Sequence, residues 1–299
     1  MPNGGRSDRA LKDWVWQMSD ADVRFKFWGV RGSLPSPGPD TNEYGGDTPC
    51  MEVTTASTRV ILDCGSGMRR LGNAMMENPD DRETFILLGH PHFDHVCGLP
   101  FFTPIFIPGQ RFQIGSAAPH DMRLLMPRLF CRPFFPVEEA MLGSDIEYFQ
   151  PETHGEMRLN DEVKIVTRPL NHPGGCTGYR IEAQGVVIAY CSDTEHVEGE
   201  TDRNVLDLME GADLAIYDTA YTAKEYPNHV GWGHSTPDEG ARLARLAGAK
   251  RLALFHHNPT RTDAQVAEIE KSIRETAPFA FAARDGMELT FQSVASKAA

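Results

Sequence analysis

The 299-residue chain contains no apolar run near the roughly 18–20 residues that a membrane-spanning helix needs. Its opening stretch, MPNGGRSDRALKDWVWQMSDAD, contains positive charges but lacks a continuous apolar segment, so it does not read as a secretion signal. The six cysteines (50, 64, 97, 131, 176 and 191) are scattered and include no CxxC pair. In a chain this long that pattern favours reduced thiols and a cytoplasmic setting over a disulfide framework. Basic residues are scarce, 29 Lys and Arg against 42 Asp and Glu, for a formal charge of −13. Gripping long nucleic acid requires clustered Lys and Arg to neutralise phosphates, so such a partner is disfavoured. Small phosphate compounds stay open, because a bound metal pair can dominate the local potential.

No internal repeat and no linker interrupts the chain, and 40% hydrophobic residues suffice for a sizeable core. The expected organisation is an N-terminal extension, 1–21, followed by one domain, 22–299. Positions 10–18 of the extension pattern as a short amphipathic helix with Leu11, Trp14 and Val15 on one side. It is expected to pack on the domain or to contact another chain, as in a homodimer.

Alternation of Val23, Phe25 and Phe27 with polar residues predicts a strand over 22–28. A long Gly- and Pro-rich loop follows, and loops of that length tend to be functional or disordered. Strands are predicted at 50–54, 59–63, 84–88, 163–167, 178–182, 186–190, 214–217, 251–255 and 287–291. Helices are predicted at 68–76, 204–209, 237–247 and 263–275, the third with Pro at a first-turn position after Ser-Thr. Between about 100 and 156 the chain is rich in Phe, Pro and Met, with weak periodicity. Alternation of strands and helices in both halves implies an α/β fold, two sheets sandwiched between helices.

The central observation is HPHFDH at 90–95, directly after the apolar run 84–88. Neutral imidazole and carboxylate are good ligands for zinc and similar divalent ions. On an irregular segment leaving a strand, His90 and His92 can share one ion while Asp94 and His95 turn toward a second. A His-rich surface loop is the bland alternative, and three His and one Asp within six residues after a buried strand argue against it. His172 (in LNHPGGCTGY), Asp193 (in CSDTEH, after VVIAYC) and His256 (after RLALF) also follow strand-like runs. Singly each reads as well as a loop or capping residue; their shared position at strand ends raises the ligand reading.

The order HxHxDH, His, Asp, His resembles that of the metallo-β-lactamase superfamily, and the resemblance extends from about Val23 to Phe291. FWGVRGS (27–33), YGGDTPC (44–50), ILDCGSGM (61–68), LNHPGGCTGYRI (170–181), YDTAYT (217–222), WGHST (232–236) and LFHHNP (254–259) are most similar to the branch of ribonuclease Z and related metal-dependent phosphodiesterases. The resemblance implies an αββα sandwich of two mixed β-sheets and two divalent ions, zinc first, with manganese or iron as alternatives. It implies that His90, His92 and His172 hold one ion, that Asp94, His95 and His256 hold the other, and that Asp193 bridges. His257 competes for the last place, but the family pattern sets the ligand two residues after Leu254.

In that family a metal pair supplies hydroxide near neutral pH and stabilises charge on the phosphoryl group. Asp94 is then expected to orient the nucleophile, and His234, paired with Asp218, to protonate the leaving oxygen. The family often has Glu where Asp218 stands, which shortens the reach of the pair. The plainer alternative has His234 only capping the helix that follows. Asp63 is expected to support a ligand imidazole. Arg31 reads equally as a phosphate contact or a structural salt bridge, and Cys97 and Cys191 as buried thiols.

Hydrolysis of small phosphodiesters such as cyclic nucleotides is the leading expectation, with Phe101, Phe102, Phe106, Phe134 and Phe135 either walling a base pocket or lying in the core. The alternatives are tRNA 3′-end processing, lactone or β-lactam hydrolysis, and a non-catalytic metal-binding scaffold. The tRNA enzymes carry a long arm between the third His and the bridging Asp, and no arm fits between His172 and Asp193. Scaffold members usually lose ligands, and here every position is filled.

Overall fold

Val23, Phe25 and Phe27 are fully buried, while the intervening Arg24 and Lys26 are only partly so. Strand β1 (Asp22–Gly29) therefore lays one face into the interior, as its period-2 pattern requires. A computed structural model describes residues 22–292, so the helix expected at 10–18 lies outside the described part. After β1 come β2 (Cys50–Thr54), β3 (Thr58–Leu62), α1 (Met68–Glu77), β4 (Glu83–Leu88), α2 (Phe93–Val96), β5 (Arg111–Ser116), α3 (Met122–Leu129) and β6 (Asp145–Phe149). The second half holds β7 (Gly155–Arg158), β8 (Val163–Leu170), β9 (Cys176–Ala183), β10 (Val186–Cys191), α4 (Arg203–Met209), β11 (Leu214–Asp218), α5 (Pro237–Ala247), β12 (Leu252–Phe255), α6 (Asp263–Thr276), β13 (Ala280–Ala282) and β14 (Glu288–Gln292).

Two seven-stranded sheets result, ordered β14-β1-β2-β3-β4-β5-β6 and β13-β12-β11-β10-β9-β8-β7. In each, an antiparallel meander passes into parallel strands, with the switch at β3–β4 and at β10–β11. The apolar faces of both sheets meet in one core that includes Phe25, Phe27, Leu87, Ile181, Ile188, Tyr190, Ile216 and Phe255. Each such side chain, fully buried, contributes about 1.5–3 kcal/mol. On the outer faces α1 and α3 cover the first sheet, and α4, α5 and α6 the second. The chain is thus the expected sandwich of two mixed sheets between helices. Among the described residues no helix is long and apolar enough to cross a membrane.

Local chemistry sets the helix ends. Thr236 caps α5 by accepting from the Glu239 amide, Pro237 occupies its first turn, and Gly248 ends it in the left-handed region at φ 70°. Thr262 and Gln265 form a reciprocal capping box at α6. The aperiodic stretch 100–156 contains β5, α3 and β6, with short 3₁₀ turns before β5 and between α3 and β6. Phe102 is fully buried beneath the first sheet, and Phe106 and Phe135 pack against the same cluster. Phe101 and Phe134 are exposed. Most of these rings are therefore structural.

Candidate metal centre

The strands β3, β4, β8, β10, β11 and β12 all deliver a polar side chain just at or beyond their C-terminal ends. These are Asp63, His90, His172, Asp193, Asp218 and His256. The crevice beyond the carboxyl ends of parallel strands is where layered α/β folds place their sites. Three of these residues stop their strands by turning left-handed: Asp63 at φ 60°, Asp193 at φ 57° and His256 at φ 60°. Ser33, also left-handed at φ 61°, donates its amide to Asp94 Oδ2 at 2.7 Å. A non-glycine residue in this region costs on the order of 1–2 kcal/mol. Its concentration at one place is characteristic of functional sites.

The seven expected ligands converge. His172 Nε2 lies 3.1 Å from His92 Nδ1, and His90 stands beside both, its ring centroid 4.4 Å from that of His92 and 4.6 Å from that of His172. Across the site Asp94 Oδ2 is 3.3 Å from His95 Nε2 and 3.2 Å from His256 Nε2. The Asp193 carboxylate sits between the two groups. It is 3.9 Å from His90 Nε2 and 4.0 Å from His172 Nε2 on one side, 3.0 Å from His95 Nε2 and 3.4 Å from His256 Nε2 on the other. Each set of three donors, His90–His92–His172 and Asp94–His95–His256, falls within 4.8 Å.

The residues present fit divalent ions. Both ring nitrogens of His90, Nε2 of His95 and Nδ1 of His256 are buried without a hydrogen-bond partner. Buried polar atoms are ordinarily paired, so a cluster of unpaired imidazole nitrogens marks a place where something else binds. Neighbouring groups aim the lone pairs. His172 Nδ1 donates to the Gly233 carbonyl at 2.8 Å, and His95 Nδ1 to Asp63 Oδ2 at 2.8 Å, which leaves Nε2 of each facing inward. Asp63 also accepts from the Gly89 amide at 2.7 Å and from the Tyr190 hydroxyl. Burial, reinforced by His95, holds His90 well below the usual imidazole range, in its neutral ligand form. Burial likewise lowers His92 and His172. Burial opposes ionisation of Asp94 and Asp193, yet the surrounding imidazoles keep both carboxylates well below their ordinary range.

His234 belongs to the same site. Its Nδ1 is 2.7 Å from Asp218 Oδ2 and 3.7 Å from Asp193 Oδ1. The aspartate is long enough for this pair. Asp218 is itself oriented by the amides of Asp193, at 3.1 Å, and Ala220, at 3.0 Å. Burial alone would lower the His234 pKa, but Asp218 raises it to about 9. The capping group of α5 is Thr236, not His234.

Arg31 is fully buried, and its guanidinium donates to the carbonyls of Gly45, Asn258 and Arg261, a structural role filled by backbone partners rather than by a salt bridge among the described residues. His257 faces away, bonded through Nε2 to the Ala283 carbonyl at 2.9 Å. Cys191 is buried, Cys97 only half-buried, and neither falls in a ligand group. Glu195, which the sequence did not single out, is buried and grips the loop 231–233 by accepting from the amides of Gly231 at 2.7 Å and Gly233 at 2.6 Å. Gly32 backs onto His256 so closely that a Cβ would lie 2.3 Å from the ring.

Comparison with known proteins accords with this geometry. The family described as beta-lactamase superfamily domain matches residues 58–257. Ribonuclease Z of Porphyromonas gingivalis is 25% identical over 259 residues, spanning 69% of this chain and 81% of the relative. The metallo-beta-lactamase fold protein YhfI from Bacillus subtilis superposes with a TM-score of 0.66 at 18% identity, covering 90% of this chain and 100% of that one. A diphosphatase of the PhnP family gives 0.65 at 19% identity, covering 91% and 98%. With most of its length matched by the family and its sheets arranged as in these folds, the chain belongs to the beta-lactamase superfamily and is a metal-dependent hydrolase.

Proposed function

We propose that the protein is a phosphodiesterase acting on small diesters, cyclic nucleotides foremost. His90, His92 and His172 would hold one divalent ion, Asp94, His95 and His256 a second, with Asp193 between them. When bound, such a pair lowers the pKa of water toward about 7 and neutralises charge on a phosphoryl group. The observation that carries the reading is the His234–Asp218 pair beside the ligand cluster. An imidazolium held by a carboxylate is suited to deliver a proton to a poor alkoxide leaving group, the hard part of cleaving an alkyl diester. Asp94 Oδ2 faces His95 and His256, so Oδ1 would be the oxygen that orients the attacking water.

The ribonuclease Z relatives favour a second reading, tRNA 3′-end processing. Against it stands the segment between His172 and Asp193, where β9 and β10 join through Gln184 and Gly185, both left-handed, a tight two-residue hairpin without an arm. The formal charge of −13 points the same way.

The test is turnover by zinc- and manganese-loaded protein of a chromogenic phosphodiester, cyclic nucleotides, precursor tRNA, a lactone and a β-lactam. Hydrolysis of a cyclic nucleotide or the chromogenic diester, with weak salt dependence and little tRNA cleavage, is expected. Efficient lactone or β-lactam turnover by a sample inert toward every diester would overturn the proposal.

A further inference from the structure

Among the seven proposed ligands His92 alone is exposed, so the site opens to solvent on the side of His92 and His172. Trp232 lies on that side. Its neighbour Gly233 offers the carbonyl that anchors His172 Nδ1, and His234 follows. The indole is 62% exposed, which is unusual for so large a side chain on a segment this tightly held. Glu195 fixes the backbone on both flanks, through Gly231 and Gly233. The Trp232 amide donates to the His229 carbonyl at 3.1 Å. Its ring stands edge-on to His229, with centroids 5.1 Å apart at 81°. His229 in turn stacks on Tyr221 at 4.1 Å and 18°, and Tyr221 lies 6.0 Å from His234. A continuous row of rings therefore runs from the candidate proton donor to the exposed indole.

We propose that Trp232 is a specificity-determining residue, the platform on which an aromatic ring of the substrate, a nucleobase in the leading case, stacks while its phosphodiester sits at the metal cluster. The proposal rests on the phosphodiesterase reading and names the substrate class within it. A ring presented rigidly loses little freedom on binding, which is the condition for a stacking surface to add affinity.

The test measures binding of adenosine 5′-monophosphate and of ribose 5-phosphate to zinc-loaded wild type, W232A and W232F by titration calorimetry. Wild type should prefer the nucleotide by about tenfold. W232A should lose that preference, W232F should keep most of it, and ribose 5-phosphate should bind all three alike. Equal affinities for the two ligands in wild type, or a preference that survives in W232A, would overturn the platform. So would a W232A protein that changes from dimer to monomer in sedimentation with its preference intact, since Trp232 would then serve a contact between copies. Turnover separates the two readings. If wild type cleaves no diester yet the base preference depends on Trp232, the platform stands and the phosphodiesterase falls.

Discussion

Replacing Asp63 by Asn tests whether this buried carboxylate sets the tautomer of His95. Asp63 is 1% exposed and receives three donors: His95 Nδ1 and the Tyr190 hydroxyl on Oδ2, the Gly89 amide on Oδ1. A carboxylate accepts all three, whereas a carboxamide has one oxygen and one donating nitrogen. If the nitrogen of the amide faces Gly89, a buried backbone N–H is left unpaired at a cost of about 1–3 kcal/mol. If it faces His95, the imidazole can accept only by moving its proton to Nε2, the atom that points at Asp94 and Asp193. The first outcome lowers the stability of metal-free protein, by about 2–4 °C in Tm per kcal/mol for a domain this large. The second lowers zinc affinity by about 10–100-fold, as for other residues that orient a metal-binding histidine. Competition with a chromophoric chelator and calorimetric melting of the metal-free protein measure both. A D63N protein with zinc affinity within about twofold of wild type and an unshifted Tm would refute the reasoning.

Three further outcomes are expected. His172→Ala should remove at least one of two ions by elemental analysis, together with nearly all hydrolysis; one ion or fewer in fully loaded wild type would count against a paired centre. His234→Ala should slow diesters with alkoxide leaving groups by about 10²–10⁴-fold and nitrophenolate diesters far less, at unchanged metal content. Equal losses on both would make His234 a substrate-orienting group instead. Asp285, whose carboxyl burial beside Asp47 raises from 3.8 to about 7, loses its proton in the unfolded chain first. The contribution of Asp285 to stability should therefore fall as pH rises from about 4 to 7 and level off above, at roughly 1.4 kcal/mol per unit of displacement, opposite in sign to that of the buried neutral histidines such as His257. In denaturant titrations the stability of D285N relative to wild type should rise across that window and leave D285N the more stable protein at pH 8; a pH-independent difference would show that Asp285 ionises normally.

Much of this architecture was legible in the residues because local chemistry and tertiary placement agree. The helix over 237–247 is marked in the sequence by a first-turn Pro after Ser-Thr, and in the structure Thr236 caps it and Gly248 ends it, each acting within one turn. The stretch 100–156 was not legible. There α3 carries Pro127 inside it, and β6 is a five-residue edge strand with no fully buried residue. The ligand positions stood out because a histidine or aspartate directly after an apolar strand has few structural uses. Glu195, the Ser33 amide and the Gly233 carbonyl did not, since each acts through a backbone group or on residues distant in sequence. Arg31 was misjudged for the same reason: its partners are carbonyls from two separated loops, which no pattern of side chains reveals.

The pairing of β1 with β14, Asp22 opposite Gln292, has a consequence for biosynthesis. A ribosome adding about 5–20 residues per second needs some tens of seconds between the two strands. Throughout that interval the hydrogen-bonding edge of β1 and its row of Val23, Phe25 and Phe27 lack their final neighbour. An open, apolar strand edge is a template for association with other nascent chains. Synthesis of this protein should therefore depend on holdase chaperones more than its finished stability suggests, and truncation before residue 288 should yield aggregates rather than a slightly weakened enzyme.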